Sequence, residues 1–312
     1  MNQEDIIIIG SGPAGLTAAI YAARARLEPL LFAGLSYGGQ LMTTTEVENF
    51  PGFPEGITGP ELMDKMIKQA ERFGTKLRYE DVTAVDFSTP GAHVVTVGET
   101  SYQAKAVILA TGSRPRKLGL PSEETYWGKG VSSCATCDGA FFRDKVVAVI
   151  GGGDSAMEEA TFLTRFASKV YVVHRRDSLR ASQIMADRAL ANSKIEFLWN
   201  TGVSEVVGDS SKVSSLKLVN LESKEESTLT VDGMFLAIGH LPNTDFLRQS
   251  DGKTAVALDE QGFVLASQHT HTDVAGVFVA GDVHDHHYQQ AITAAGMGCM
   301  AALDAESYLA EG

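Results

Sequence analysis

Apolar residues along the chain fall into two kinds of run. The first is short and continuous: Asp5-Ile6-Ile7-Ile8-Ile9, Ala106–Ala110, Lys145–Ile150, Lys169–Val173, Gly233–Gly239 and Gly276–Ala280. Runs without alternation suit strands buried on both faces of a parallel sheet. The second kind repeats with helical spacing. Leu16–Arg26 and Met157–Phe166 each follow one of those strands, and Pro60–Phe73 puts Leu62, Met63, Met66, Ile67, Ala70 and Phe73 on one helical face. A last helix is expected over Tyr288–Leu309. Val82–Phe87, His93–Val97 and Ser101–Ala104 predict a small antiparallel unit, and Glu28–Phe32, Ile195–Trp199, Val203–Val207 and Lys217–Leu221 predict further strands.

The order of these elements repeats. A strand, a glycine turn and a helix begin at Gly10-Ser11-Gly12-Pro13-Ala14-Gly15 and again at Gly151-Gly152-Gly153-Asp154-Ser155-Ala156. Each copy closes on an apolar strand followed by Gly112 or Gly239. This is duplication at domain scale. The tail from about Asn243 is too small for a third domain, so it is expected to return to the first. The predicted fold class is therefore α/β, with two Rossmann-like nucleotide-binding domains, the second inserted into the first. The expected domains are 1–113 with 245–312, and 114–244, with Arg114-Pro115-Arg116-Lys117 as a linker.

Composition changes little in this picture. A chain of 312 residues with 44% hydrophobic and 21% charged residues is an ordinary globular protein. A net charge of −13 argues against nucleic-acid or anionic-membrane partners while leaving room for local basic pockets. No apolar run approaches the ~18 residues that span a bilayer. The polar start Met1–Glu4 leads straight into a strand, so no signal peptide is expected and the expected location is cytoplasmic.

The chemistry starts from the glycine turns. They let the backbone approach a pyrophosphate at a helix N-terminus, so Gly10, Gly12, Pro13, Ala14 and Gly15 form one candidate site, and Gly152, Gly153, Asp154 and Ser155 a second. After the second site's next strand come His174, Arg175, Arg176 and Arg180, where an NAD domain would place an acid; guanidinium forks there suit the 2′-phosphate of NADP(H). The first site lacks the usual acid too: its second strand ends Leu31-Phe32-Ala33-Gly34. Gly281-Asp282, after an apolar strand, suits a flavin ribityl hydroxyl, which points to FAD. A long polar loop, Gly38–Gly52, is expected to be functional.

Between the two sites lies Ser133-Cys134-Ala135-Thr136-Cys137-Asp138-Gly139, holding two of the three cysteines. A CxxC in such a chain is redox-active or metal-binding. Zinc needs two more ligands, and Cys299, His284, His286 and His287 lie in the other expected domain. A ferredoxin-NADP reductase would leave the CxxC unexplained; a non-catalytic nucleotide sensor would oxidise no NADPH.

Together these motifs carry a resemblance. GSGPAG at Gly10, GGQLMTTTEVENFPG at Gly38, ATG at Ala110, SSCATCDG at Ser132, GGGDSA at Gly151, HRRDSLRAS at His174, IGHLPN at Ile238 and GDV…QAITAAG at Gly281 resemble bacterial-type low-molecular-weight thioredoxin reductase. The resemblance implies a homodimer of the pyridine nucleotide-disulfide oxidoreductase type, with FAD, NADPH and thioredoxin as cofactors and partner. It implies that Cys137 lies nearest the flavin, Cys134 attacks the thioredoxin disulfide and Asp138 is the acid/base. It also implies FAD contacts from Gly39, Gln40, Leu41, Asn49, Thr111, Gly112, Asp282, Gln290 and Ala291. One departure is Gln289, where the family commonly has arginine.

The implied path runs from NADPH to FAD, to the Cys134–Cys137 disulfide, to a protein disulfide near roughly −270 mV, where ~30 mV changes the balance by ~1.4 kcal/mol. The CxxC and the NADP site share the inserted domain, and the disulfide must both meet the flavin and leave it. A hinge near Ser113–Lys117 and Gly239–Thr244 is expected. A verified cross-link between the domains is predicted to stop multiple turnover of NADPH-dependent disulfide reduction; full turnover in the locked form would refute the hinge.

Overall fold

The computed structural model describes residues 2–44, 46–209, 211–249 and 251–311. Thr45, in the polar loop, and Met1 and Gly312, at the ends of the expected first domain, lie outside the described residues. The chain forms two compact units, Met1–Arg114 with Leu241–Gly312 and Pro115–His240. Residues 241–244 stay with the first unit for a local reason. Asn243 donates from its backbone N–H to the Gly112 carbonyl at 3.0 Å and from Nδ2 to the Thr111 carbonyl at 2.8 Å.

In the first unit the apolar run becomes the strand Asn2–Ile9, parallel to Leu30–Phe32 on one side and to Thr100–Leu109 on the other. Lys76–Arg78 extends the sheet beyond Leu30–Phe32. Thr100–Leu109 corrects the sequence reading, which split it into two strands. Exposed Lys105 interrupts the apolar pattern, yet the backbone continues through it. One edge of this strand pairs antiparallel with His93–Val97 through its first half and parallel with Val277–Val279 through its second. It thus ties the small antiparallel unit to the central sheet, and the C-terminal segment back to the start.

Two helices cover one face. Pro13–Arg24 starts at the glycine turn, with proline in its first turn where no N–H is needed. Ala291–Glu311 begins three residues later than expected, because Gln289 (φ 50°) turns the chain in the left-handed region. The helices meet through small residues: a Cβ on Gly298 would run into the backbone of Ala14, and one on Gly281 into the Ala14 side chain. Gly59–Arg72 packs Leu62, Met63 and Ala70 into the same core.

The second unit repeats the plan. Val131–Ser132, Gly233–Leu236, Val146–Ile150, Lys169–Val173 and Ile195–Leu198 form a parallel sheet in that order. The helix Asp154–Leu163 follows its glycine turn, three residues earlier than expected. A separate antiparallel sheet of Thr201–Gly208, Val213–Asn220 and Glu226–Thr230 includes a third strand too polar to read from the sequence. Buried Glu123 accepts three backbone N–H groups, from Leu118, Gly119 and Leu120, at 3.0–3.3 Å. That turn is therefore fixed where the chain enters the unit.

Two buried carboxyl oxygens, Asp282 Oδ1 in the first unit and Glu159 Oε2 in the second, make no hydrogen bond. Burial, helped by Asp285, pushes Asp282 up to about 7; burial, helped by Glu158, pushes Glu159 up to about 8. Both native values lie above the unfolded carboxyl range of about 4. The stability that the neutral forms allow is fully present below about pH 4 and lost as pH rises through those values. Buried His93 and His174, held low by desolvation, act oppositely below about pH 6.5. The prediction concerns nucleotide-free protein followed by urea denaturation between about pH 5 and pH 9. Asp282→Asn removes the loss that runs from about pH 4 to about 7 for the first unit, and Glu159→Gln the loss from about pH 4 to about 8 for the second. Unchanged pH slopes in both variants would contradict it.

Candidate active site

Both glycine turns are built by the same exclusion. A Cβ on Gly10 would strike the Ala110 carbonyl, and a Cβ on Gly151 the Ala237 carbonyl. Each turn can therefore lie directly on the last strand of its own copy. Gly12 and Gly153 face open space, and neither helix that follows has a side-chain cap on its first N–H groups. Such N-termini suit phosphate oxygens.

Around the first turn the structure gathers most of the residues expected to hold a flavin. Ser11 Oγ donates to the Ala33 carbonyl at 2.8 Å and accepts from the Gly38 N–H at 2.8 Å, which draws the polar loop onto the turn. Gly39 then faces Gly12. Gln40 Nε2 donates to the Ser113 carbonyl at 2.6 Å, and Thr111 Oγ1 to the Asn243 carbonyl at 2.8 Å. Asn49 and Gln290 come together, Nδ2 donating to Oε1 at 3.4 Å, beside Ala291 at the helix start. Leu41 packs its side chain against the core. Asp282 supplies the fit test for FAD. Its buried, unpartnered Oδ1 beside the Ala14 turn is the acceptor that a ribityl hydroxyl would satisfy.

Around the second turn the loop after Lys169–Val173 folds back onto the glycines. Arg180 donates its N–H to the Gly152 carbonyl at 2.7 Å, and a Cβ on Gly152 would meet the His174 ring. His174 Nε2 donates to the Ser178 carbonyl at 3.0 Å. Burial holds this imidazole below its ordinary pKa, and the charges of Arg180, Arg176 and Arg175 add to that. Those three guanidiniums are exposed while their charge converges on one ring, the fit expected for a 2′-phosphate. Asp154 is engaged elsewhere: Oδ1 accepts from the Ser182 N–H at 2.9 Å and its hydroxyl at 2.7 Å. Ser155 stays exposed in the first turn of the helix.

The CxxC lies in the same unit. Cys134 and Cys137 form a disulfide, with Cα atoms 5.3 Å apart. Ala135–Asp138 is a single helical turn, and Cys137 N–H donates to Cys134 Sγ at 3.2 Å. Buried Ala135 joins the core of Ala156, Met157 and Ala160, and Gly139 lies bare against Leu163, Phe162 and Phe166. The disulfide is thus seated on the second nucleotide helix. Ser132, which the sequence offered only as part of a motif match, organises it. Held on the strand beside Phe235, its hydroxyl accepts from Cys134 N–H at 3.0 Å and favours the anionic form of the nearby Asp138 carboxyl. Burial raises the Asp138 pKa, and Ser132 opposes the rise. Cys137 is exposed and Cys134 half-buried. Among the described residues no group of three or more His, Cys, Asp or Glu is placed to hold a metal, and no helix is long and apolar enough to cross a membrane.

Known proteins share this arrangement. The family model for pyridine nucleotide-disulphide oxidoreductases matches residues 4–298. A thioredoxin reductase of Mycolicibacterium smegmatis is 58% identical over 309 residues, covering 99% of this chain and 97% of the relative. A bifunctional thioredoxin reductase/thioredoxin of Mycobacterium leprae is also 58% identical, with 99% of this chain and 66% of the relative covered. The structure of a thioredoxin reductase from Giardia duodenalis superposes with a TM-score of 0.93 at 44% identity, covering 99% and 100% of the two chains. The chain belongs to the low-molecular-weight, bacterial-type thioredoxin reductases, pyridine nucleotide-disulphide oxidoreductases that use FAD and NADPH.

Proposed function

We propose that this chain reduces the disulfide of a thioredoxin with electrons from NADPH, using Cys134 and Cys137 as its exchanging pair and working as a homodimer. The observation that carries the reading is the Cys134–Cys137 disulfide turn seated on the Asp154–Leu163 helix, with the Ser132 hydroxyl holding the Cys134 backbone. FAD held by the Gly10 turn, Gln40, Asn49, Asp282 and Gln290 supplies two-electron transfer between a nicotinamide and a disulfide. NADPH is held by Gly152, Gly153, His174, Arg175, Arg176 and Arg180.

The chain's own residues then perform thiol–disulfide exchange. In the dithiol form, Cys134 thiolate attacks one sulfur of the substrate disulfide, and the other leaves as a thiolate. Cys137 then attacks the Cys134 sulfur, releasing the second substrate thiolate and closing the enzyme disulfide. A carboxyl whose pKa is raised by burial holds a proton closer to neutral pH, so Asp138 can protonate a departing thiolate and be recharged at the next reduction. Exposure alone would give the outward role to Cys137, whereas family resemblance gives it to Cys134; trapping decides between them. A second copy would cover the exposed apolar side chains of Tyr21, Met300 and Leu303 on the two helices of the first unit, a burial read from the sedimenting mass.

Cys134→Ser and Cys137→Ser are each predicted to reduce NADPH-dependent thioredoxin reduction to below about a thousandth. Cys137→Ser alone accumulates a mixed disulfide with thioredoxin. Retained turnover in both variants would overturn the mechanism, and trapping by Cys134→Ser instead would exchange the two roles. Arg175→Ala with Arg176→Ala raises KM for NADPH by roughly ten- to a hundredfold while leaving KM for NADH within about twofold. An equal rise for both cofactors would remove the arginines from the 2′-phosphate.

A further inference from the structure

A dinucleotide-binding Rossmann turn ordinarily meets an acid at the end of its second strand, roughly 20 residues on, where it accepts from an adenosine-ribose hydroxyl. Here that strand, Leu30–Phe32, ends in Ala33 and Gly34. The fold brings a carboxylate to the same edge from elsewhere. Lys76–Arg78 lies beside Leu30–Phe32 in parallel register, and Ala33 N–H donates to the Arg78 carbonyl at 2.7 Å, so the two strands end together. The chain leaves Lys76–Arg78 through Tyr79 and Glu80 and presents Asp81. Gly34 (φ 77°) turns the other chain so that Leu35 N–H donates to Asp81 Oδ1 at 2.9 Å. Val82, the next residue, packs on the core under the sheet.

This edge is joined to the pyrophosphate turn. Ser11, between Gly10 and Gly12, donates to the Ala33 carbonyl at 2.8 Å. The residue held by the glycine turn, Ala33, is therefore the immediate neighbour of Gly34, which lies against Asp81. A carboxylate has about four acceptor directions, and Leu35 N–H takes one. Asp81 is exposed, so the others are open on the ligand side of the strand ends.

We propose that Asp81 is the acceptor for an adenosine-ribose hydroxyl of the dinucleotide in the first unit, replacing the acid that Ala33 does not supply. The proposal rests on the reading that this unit holds FAD. It makes Asp81 a binding residue for the adenosine half alone, remote in the dinucleotide from the isoalloxazine.

The test is a thermodynamic cycle on the full chain, stripped of flavin and titrated with FAD, with FAD analogues lacking the 2′- or the 3′-hydroxyl of the adenosine ribose, and with FMN. Dissociation constants come from the flavin fluorescence change. Asp81→Asn is expected to weaken FAD roughly ten- to a hundredfold. In the wild type one deoxy analogue is weakened by a similar factor, while in Asp81→Asn that analogue and FAD bind within about twofold of each other. FMN, without adenosine, binds both proteins alike. A carboxylate that only props Leu35 gives the other pattern: Asp81→Asn weakens all four ligands by one factor, and the deoxy penalties persist unchanged. That pattern, or unaltered FAD binding in Asp81→Asn, overturns the proposal. A wild type that binds no FAD would instead remove the functional reading on which it stands.

Discussion

The architecture depends on backbone meeting backbone with no side-chain carbon between. At Gly10 and at Gly151 the first residue of a nucleotide turn rests on the carbonyl of Ala110 or Ala237, at the end of the strand that closes the same copy of the repeat. Either contact fails with any Cβ, so the turn, the helix after it and the closing strand are placed as one piece. In the first unit the rule extends to the C-terminal return, where Gly298 and Gly281 let that segment touch Ala14. Residues near both ends of the chain thereby come to one turn: Gly12 and Gly39 from one side, Gly281 and Gly298 from the other.

Local pattern made much of this legible. Ile6–Ile9 and Val146–Ile150 read as buried strands because period and length agree, and the repeated order of strand, glycine turn and helix disclosed the duplication. Local pattern also misled where one exposed residue interrupts a strand, as Lys105 does inside Thr100–Leu109. It was blind to contacts that only the sheet order creates. Ser132 gains its role because its strand lies beside Phe235, about a hundred residues on. Asp81 reaches the end of Leu30–Phe32 because Lys76–Arg78 is its neighbour. No composition or spacing rule links Ala33 to Asp81; a hydrogen-bonded register does.

Charge is used locally against the overall balance. The chain carries −13, yet Arg175, Arg176 and Arg180 sit together on the loop folded over the second turn, so an anion there meets concentrated cation in an otherwise repelling field. Carboxyls are treated in opposite ways. Asp154 is stabilised as an anion by Ser182, whereas Asp282, Glu159 and Asp138 are pushed toward neutrality by burial. A buried acceptor without a donor costs folding free energy, and a bound hydroxyl relieves that cost. Asp282 therefore couples occupancy of the first site to the stability of the unit that forms it.

Asp138 differs from a purely structural acid. Burial raises its pKa while the nearby Ser132, which holds the Cys134 backbone, opposes the rise. A group meant only to cap a turn would gain by being fully bonded, as Glu123 is with its three N–H donors. Asp138 instead lies in a desolvated site that the nearby Ser132 offsets only in part, a poor arrangement for stability and a good one for passing a proton. Thiol–disulfide exchange needs a thiolate at one sulfur and a protonated leaving group at another, so a proton carrier next to Cys137 serves both halves of the cycle. The turn that carries it is anchored independently, by Ala135 and Gly139 on the Asp154–Leu163 helix, so its position does not depend on how Asp138 is charged.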